Sequence, residues 1–251
     1  DINTTTTSTT IHTKISLCMI GDILIHKKLI EAFHKSESDT YDFNLIFAHM
    51  QDTFKQYDFR IVNEEVLIAG NDFVVSGAPR FNSPFELSDA IENANLNVIS
   101  KATNHGMDRG KEGILTDLNN WKTNHKNLII TGMYSNFEDS KKITFLKKDG
   151  YKIAILNYSY GTNGIPLPED MPYAINLLKQ EKIKKDIKKA KNQRANFIIV
   201  IPHWGTEYTD VKSKRQIFWT NFFYNNGVDL VIGAHPHVIQ PVEWIKKENN
   251  N

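Results

Sequence analysis

Short apolar runs alternate along the chain with longer stretches in which apolar residues recur every three or four positions. This is the rhythm of an α/β fold, in which strands and helices take turns. The runs predict strands at Ile15–Ile20, Phe59–Val62, Leu96–Ser100, Leu128–Thr131, Ile153–Asn157, Phe197–Ile201 and Leu230–Ile232. Lys148-Asp149-Gly150 is turn chemistry and predicts a hairpin joining Ile143–Lys147 to Tyr151–Asn157. Between the strands, Ser83-Pro84-Phe85-Glu86 offers an N-cap Ser, a Pro at the first helical position and a Glu at the third, a capping box opening a helix to about Ala94. Further helices are predicted at Glu112–His125, Lys179–Arg194 and Lys214–Tyr224. The lysine-rich second of these reads as a solvated face, and the third presents Ile217, Phe218, Phe222 and Phe223 as a broad apolar stripe for the sheet.

With 251 residues and 40% of them apolar, the chain can build one full α/β core. Thr4 to Thr10 is almost pure Thr and Ser, a composition unable to bury a core, so residues 1–13 read as a flexible leader and residues 14–251 as the domain. Thirty basic against 29 acidic side chains leave a net charge of +1, which gives no global field for nucleic acid. No run reaches the roughly 18 apolar residues of a transmembrane span, and no signal peptide is recognisable. The chain opens at Asp1, and the leader reads either as a tether following a removed segment, with an extracytoplasmic, membrane-tethered location expected, or as an ordinary frayed terminus. The lone Cys18, inside the first apolar run, is expected to be a buried, inert thiol.

Chemistry gathers where the strands stop. The first strand runs into Gly21-Asp22 and then His26, the second into Asn63-Glu64-Glu65, and the third into Asn104-His105. Two later strands run into His203-Trp204-Gly205 and Gly233-Ala234-His235-Pro236-His237. In open α/β sheets the carboxyl ends of the strands converge on one crevice, so residues distant in sequence meet there. Mixed carboxylate, amide and imidazole donors suit Mn, Fe or Zn, whereas Ca takes oxygen alone. The expected metal ligands are Asp22, Glu65, Asn104, His203, His235 and His237, with His26 as an additional candidate. His235 and His237, two apart in backbone expected to be extended, point to one side as a chelating pair. His12, His34, His49 and His125 follow no strand and read as surface histidines.

Six words, in order, resemble the CapA family of poly-γ-glutamate capsule synthesis, which is itself similar to the calcineurin-like metallophosphatases. They are Gly21–His26, Asn63–Glu65, Ala102–Gly110, Tyr160–Asn163, His203–Tyr208 and Gly233–Gln240, and the likeness runs from about Lys14 to Val242. The resemblance implies a two-layer β-sandwich flanked by helices, with two divalent metal ions at the sheet edge. It makes Asp22 a first-strand ligand, Glu65 the carboxylate between the metals, and Asn104 a ligand of the second metal. His203, His235 and His237 complete the shells, His105 matches the histidine that protonates the leaving group, and Asp108 orients it.

This chain departs from the family pattern at several points. His26 lies four residues beyond Asp22, whereas the related phosphatases place an Asp and a His two apart. Ala234 replaces a frequent His or Ser, and Glu64 stands where an apolar residue is common. The family's closing Ser-Leu-Gly-Asn word is missing before Asn251, which implies truncation or a sheet that closes differently. The expected activity is metal-assisted hydrolysis acting on a phosphoester or an anionic polymer; Trp204, Tyr208 and Tyr160 read equally as walls of the crevice or as core residues. Two readings stay open beside it: a metal-stabilised accessory that binds the polymer or scaffolds a membrane synthase, and a metal-free α/β binding domain.

Overall fold

The computed structural model describes residues 14–245; the leader and His12 lie outside the described residues. The first half of the chain carries β1 (Leu17–Ile23), α1 (Lys27–Phe33), β2 (His34–Lys35), β3 (Thr40–Tyr41), α2 (Asn44–Phe47), α3 (Gln51–Phe54) and β4 (Phe59–Glu64). It continues through α4 (Glu86–Asn93), β5 (Val98–Ser100), α5 (Gly110–Asn124) and β6 (Ile129–Thr131). The second half comprises α6 (Phe137–Ser140), β7 (Thr144–Lys148), β8 (Tyr151–Ser159), α7 (Gln180–Asn192), β9 (Phe197–His203), α8 (Lys214–Asn225) and β10 (Leu230–Val231).

These strands form two four-stranded sheets, ordered β1-β4-β5-β6 and β10-β9-β8-β7, apart from the small β2–β3 hairpin. The first sheet is parallel throughout, and in the second only β7 runs antiparallel to its neighbour. Strand alternation assigns the layers, because successive side chains leave opposite faces of a strand. Ile61, Val98, Ile153, Ile155, Ile199 and Ile201 point between the sheets and form one core. Their neighbours Val62 and Ile99 pack outward on Leu87, Ile91 and Trp121 of α4 and α5. Ala154, Leu156, Ile198 and Val200 pack on Ile183 and Ile187 of α7 and Trp219 and Phe223 of α8. The result is a two-layer β-sandwich flanked by helices. No helix among the described residues is long and apolar enough to cross a membrane.

All seven predicted strands are present, some displaced by two or three residues, and so is the hairpin, whose Asp149 and Gly150 take φ of 48° and 82°. The expected capping box at Ser83 does not form. Helix α4 starts at Glu86, no side chain caps it, and the buried Ser83 hydroxyl has no hydrogen-bond partner. The Ser83 backbone is held by Leu67 and Gly70, and Glu86 accepts a bond from the Tyr41 amide instead. A capping box occurs at α8, where Ser213 and Gln216 exchange bonds. Two further expectations change. Cys18 is half-buried, because β1 is the edge strand of its sheet. His125 is buried, not superficial, since its Nδ1 reaches Glu92 at 2.6 Å beneath α5.

Candidate metal centre

The carboxyl ends of both sheets meet at one place. From the first sheet come Asp22 within β1, Glu65 immediately after β4, and Asn104 in the loop after β5; from the second come His203 at the end of β9 and His235 and His237 after β10. A register shift between Ile20 and Asp22 turns the Asp22 carboxylate toward this junction, and its oxygens accept the His235 amide at 3.0 and 3.2 Å. Nδ1 of His237 lies 2.9 Å from Asp22 Oδ2 and 3.9 Å from Glu65 Oε2. Nε2 of His203 lies 3.4 Å from Glu65 Oε1 and 2.7 Å from Asn104 Oδ1. The six predicted ligands therefore converge. His26 is not among them: it is exposed and packs edge-on against Phe81.

The expected extended backbone at His235 and His237 is not what brings their rings together. Both residues have positive φ, 97° and 57°, in a region unusual for side chains of this size, and their ring centroids lie 5.9 Å apart. Backbone bonds hold this turn in place: Ala234 donates to Pro202, while Trp204 and Tyr208 donate to Ala234 and Pro236. Of the three aromatic residues weighed as walls of the crevice, Tyr160 lies tilted against His235 at 4.8 Å and Tyr208 against His237 at 5.7 Å. Trp204 is instead core, packed on Phe223.

Burial sets the electrostatics. It pushes the Glu65 carboxyl up to about 8, with the Asp22 charge adding to the effect. It pulls the His203 imidazole down to about 3 and that of His235 to about 4, so both rings are neutral at physiological pH. Burial also raises Asp22, but the His237 hydrogen bond, the nearby imidazoles and the His235 amide outweigh it and leave the carboxyl below its ordinary value. The same hydrogen bond raises His237.

A cation requires neutral imidazoles and unprotonated carboxylates of its ligands: His203 and His235 already meet this, whereas Glu65 would release its proton as a cation binds. Both Glu65 oxygens and Nδ1 of His235 are buried without a hydrogen-bond partner, although burying such groups unsatisfied is costly. Ligand atoms of Glu65, His203 and His235 lie within 4.8 Å of one another, and so do those of Asp22, Glu65 and His237. Glu65 belongs to both groups. The residues present thus fit a divalent-metal centre in which Glu65 is shared between overlapping donor groups.

Sequence reasoning passed over Asn63 as a functional residue. Fully buried at the end of β4, it donates to Asp22 Oδ1 at 2.7 Å, approaches Nδ1 of His203 at 3.2 Å, and is held from below by the Ser100 hydroxyl. A signal was present: three consecutive polar residues ending an apolar strand are costly unless each has a partner. Glu207, in the loop after β9, was also passed over and lies beside His235 and His237. The catalytic candidates pair as expected, with Nδ1 of His105 2.7 Å from Asp108 Oδ2, which also accepts the Phe81 amide at 2.7 Å.

The profile of the family described as bacterial capsule synthesis protein PGA_cap matches residues 16–249. The capsule biosynthesis protein CapA of Bacillus anthracis is 26% identical over 93% of this chain and 57% of its own length. The PGA biosynthesis protein CapA of Bacillus subtilis (strain 168) is 25% identical over 91% and 59%. This chain thus spans less than two thirds of these curated relatives. Among solved structures, the calcineurin-like phosphoesterase YfkN from Bacillus subtilis superimposes with a TM-score of 0.51 at 17% identity, covering 91% of this chain and 74% of that one. At that identity the likeness concerns the fold.

Proposed function

The chain belongs to the bacterial capsule synthesis protein family PGA_cap, and from that membership and the geometry of the centre we propose that it is a metal-dependent hydrolase of the phosphoesterase type. Its setting is capsule biosynthesis, the process named in its relatives, and its substrate is a phosphoester or an anionic capsule polymer. The observation that carries this reading is Glu65, a buried carboxylate with two unpartnered oxygens placed between two imidazole-bearing groups.

Asp22, Glu65 and His237 would hold one divalent cation, and Glu65, Asn104, His203 and His235 the other. When bound, such ions supply charge compensation for a phosphoryl-type oxyanion and acidify water at neutral pH. The chain's own residues do the remaining work. Asn63 holds Asp22 and His203 in orientation from behind. Asp108, fixed by the Phe81 amide, pairs with Nδ1 of His105 and so holds the ring in orientation. His105 then hands a proton to the departing oxygen. Tyr160, tilted against His235, walls one side of the centre.

Elemental analysis and a manganese titration of the purified protein, followed by assay against a chromogenic phosphodiester, test the proposal. Two ions per chain and turnover are expected, with His105→Ala retaining metal while losing about 10²–10⁴-fold in rate. Full metal occupancy with no turnover of phosphoesters or polyglutamate would overturn the hydrolase and leave the polymer-binding accessory.

A further inference from the structure

Of the word Tyr160-Gly161-Thr162-Asn163, the metal centre uses only the Tyr160 ring, yet the last residue reaches both functional side chains of the loop after β5. Asn163 Oδ1 accepts from Asn104 Nδ2 at 3.3 Å and from the Tyr160 hydroxyl at 3.3 Å. Its Nδ2 lies 3.5 Å from Nδ1 of His105. The backbone is built to place it there. Ile165 donates to the Thr162 carbonyl at 2.9 Å, and the two residues between, Asn163 and Gly164, take φ of 49° and 76°, as a type I′ turn requires. The Thr162 hydroxyl donates to the Ile165 carbonyl and the Ser159 hydroxyl to that of Gly161, each at 2.6 Å, so the turn is fastened on both sides. Turn chemistry alone asks only for Asn, Asp or Gly at this position. It does not ask for a carboxamide aimed at Asn104.

The same bonds orient the two amides. Asn104 Oδ1 lies 2.7 Å from Nε2 of His203, so its oxygen faces the ligand cluster and its Nδ2 faces Asn163. With its own oxygen taking two donors, Asn163 turns its N–H groups toward His105. Nδ1 of that ring is already paired with Asp108 at 2.7 Å and is a poor acceptor at 3.5 Å, so the exposed Asn163 keeps an uncommitted donor there. We propose that Asn163 is a further residue of the site. Its oxygen holds the Asn104 amide with the oxygen toward the cation, and its N–H binds an oxygen of a phosphoryl-type substrate group beside His105. This inference rests on the metal-dependent hydrolase reading.

Calorimetric titration of metal-free protein with Mn²⁺, and of the protein at saturating manganese with inorganic phosphate, tests both contacts without depending on turnover. Asn163→Gly keeps the positive φ and removes the carboxamide. It should weaken manganese binding about tenfold or more and phosphate binding about tenfold. Asn163→Asp keeps an oxygen for Asn104 but replaces the N–H donor with a negative charge. Manganese should then bind as in the wild type, while phosphate binding still falls about tenfold or more. Metal-free melting temperatures of both variants should match the wild type. Wild-type affinities for manganese and phosphate in Asn163→Gly overturn the inference, reduce Asn163 to a turn residue and leave the hydrolase reading intact. So does an Asn163→Asp that loses as much manganese affinity as Asn163→Gly, because an acceptor oxygen then restores nothing. A wild type that binds no manganese removes the hydrolase reading and this inference with it.

Discussion

Lys101→Met is the most exacting test of how the chain holds its strand ends in register. The Lys101 side chain is 1% exposed, and its ammonium donates to Glu64, to Asp117 Oδ1 at 3.0 Å and to the Val66 carbonyl at 3.2 Å. It joins the end of β4, the end of β5 and helix α5 at one buried point. Burial draws Lys101 down and pushes Asp117 up, so each group depends on the others to stay charged. Methionine fills similar volume but strands two carboxylates in the interior, and removing one partner of a buried ion pair costs about 3–5 kcal/mol. For a domain of this size that corresponds to a fall of roughly 6–20 °C in melting temperature. Calorimetric melts with chelator present should show it, and Glu64→Gln/Lys101→Met/Asp117→Asn should recover most of the loss. A single variant melting within about 2 °C of the wild type would show that the triad contributes little, and the reasoning would fail.

Asn63→Ala should weaken manganese binding about 10–100-fold, measured by titration, because it frees Asp22 and His203 to turn; unchanged affinity would remove Asn63 from the centre. His26→Ala should leave metal content untouched, since that ring packs on Phe81, and loss of an ion in that variant would contradict the geometry. Metal-free protein should be most stable near pH 6.5. Below that, the unfolded chain takes up protons that His203 and His235 refuse until about 3 and about 4, so stability falls as pH drops. Above it, the fold keeps the Glu65 proton up to about 8 while the unfolded chain has lost it, so stability falls as pH rises. Melts from pH 5 to 9 with chelator test this, and a steady rise through pH 8 would refute it.

The long strands were legible because their apolar runs serve two packed faces, Ile153 and Ile155 on one and Ala154 and Leu156 on the other. Helices α1, α2 and α3 were not: at four to seven residues each buries a single side chain, Ile30, Phe47 or Phe54, too little for a period to show. The departure at Glu64, odd in sequence, is explained by Lys101 and Asp117, which no local pattern connects to it. Six centre residues were legible because each stands at, or within a few residues of, the carboxyl end of a strand. His125 was misplaced because its carboxylate partner, Glu92, comes from α4 through tertiary packing. Glu207 sits on a loop positioned by bonds to another loop, and no spacing rule reaches across them.

The division of donors between the two layers has a consequence for assembly. Everything up to β6 contributes the inner oxygen donors, and everything from β7 onward contributes the ring nitrogens. Severed in the segment between Thr131 and Thr144, neither fragment would retain a complete grip on an ion. A cation at the junction would therefore behave as a clasp, its binding energy resisting any sliding of one layer over the other.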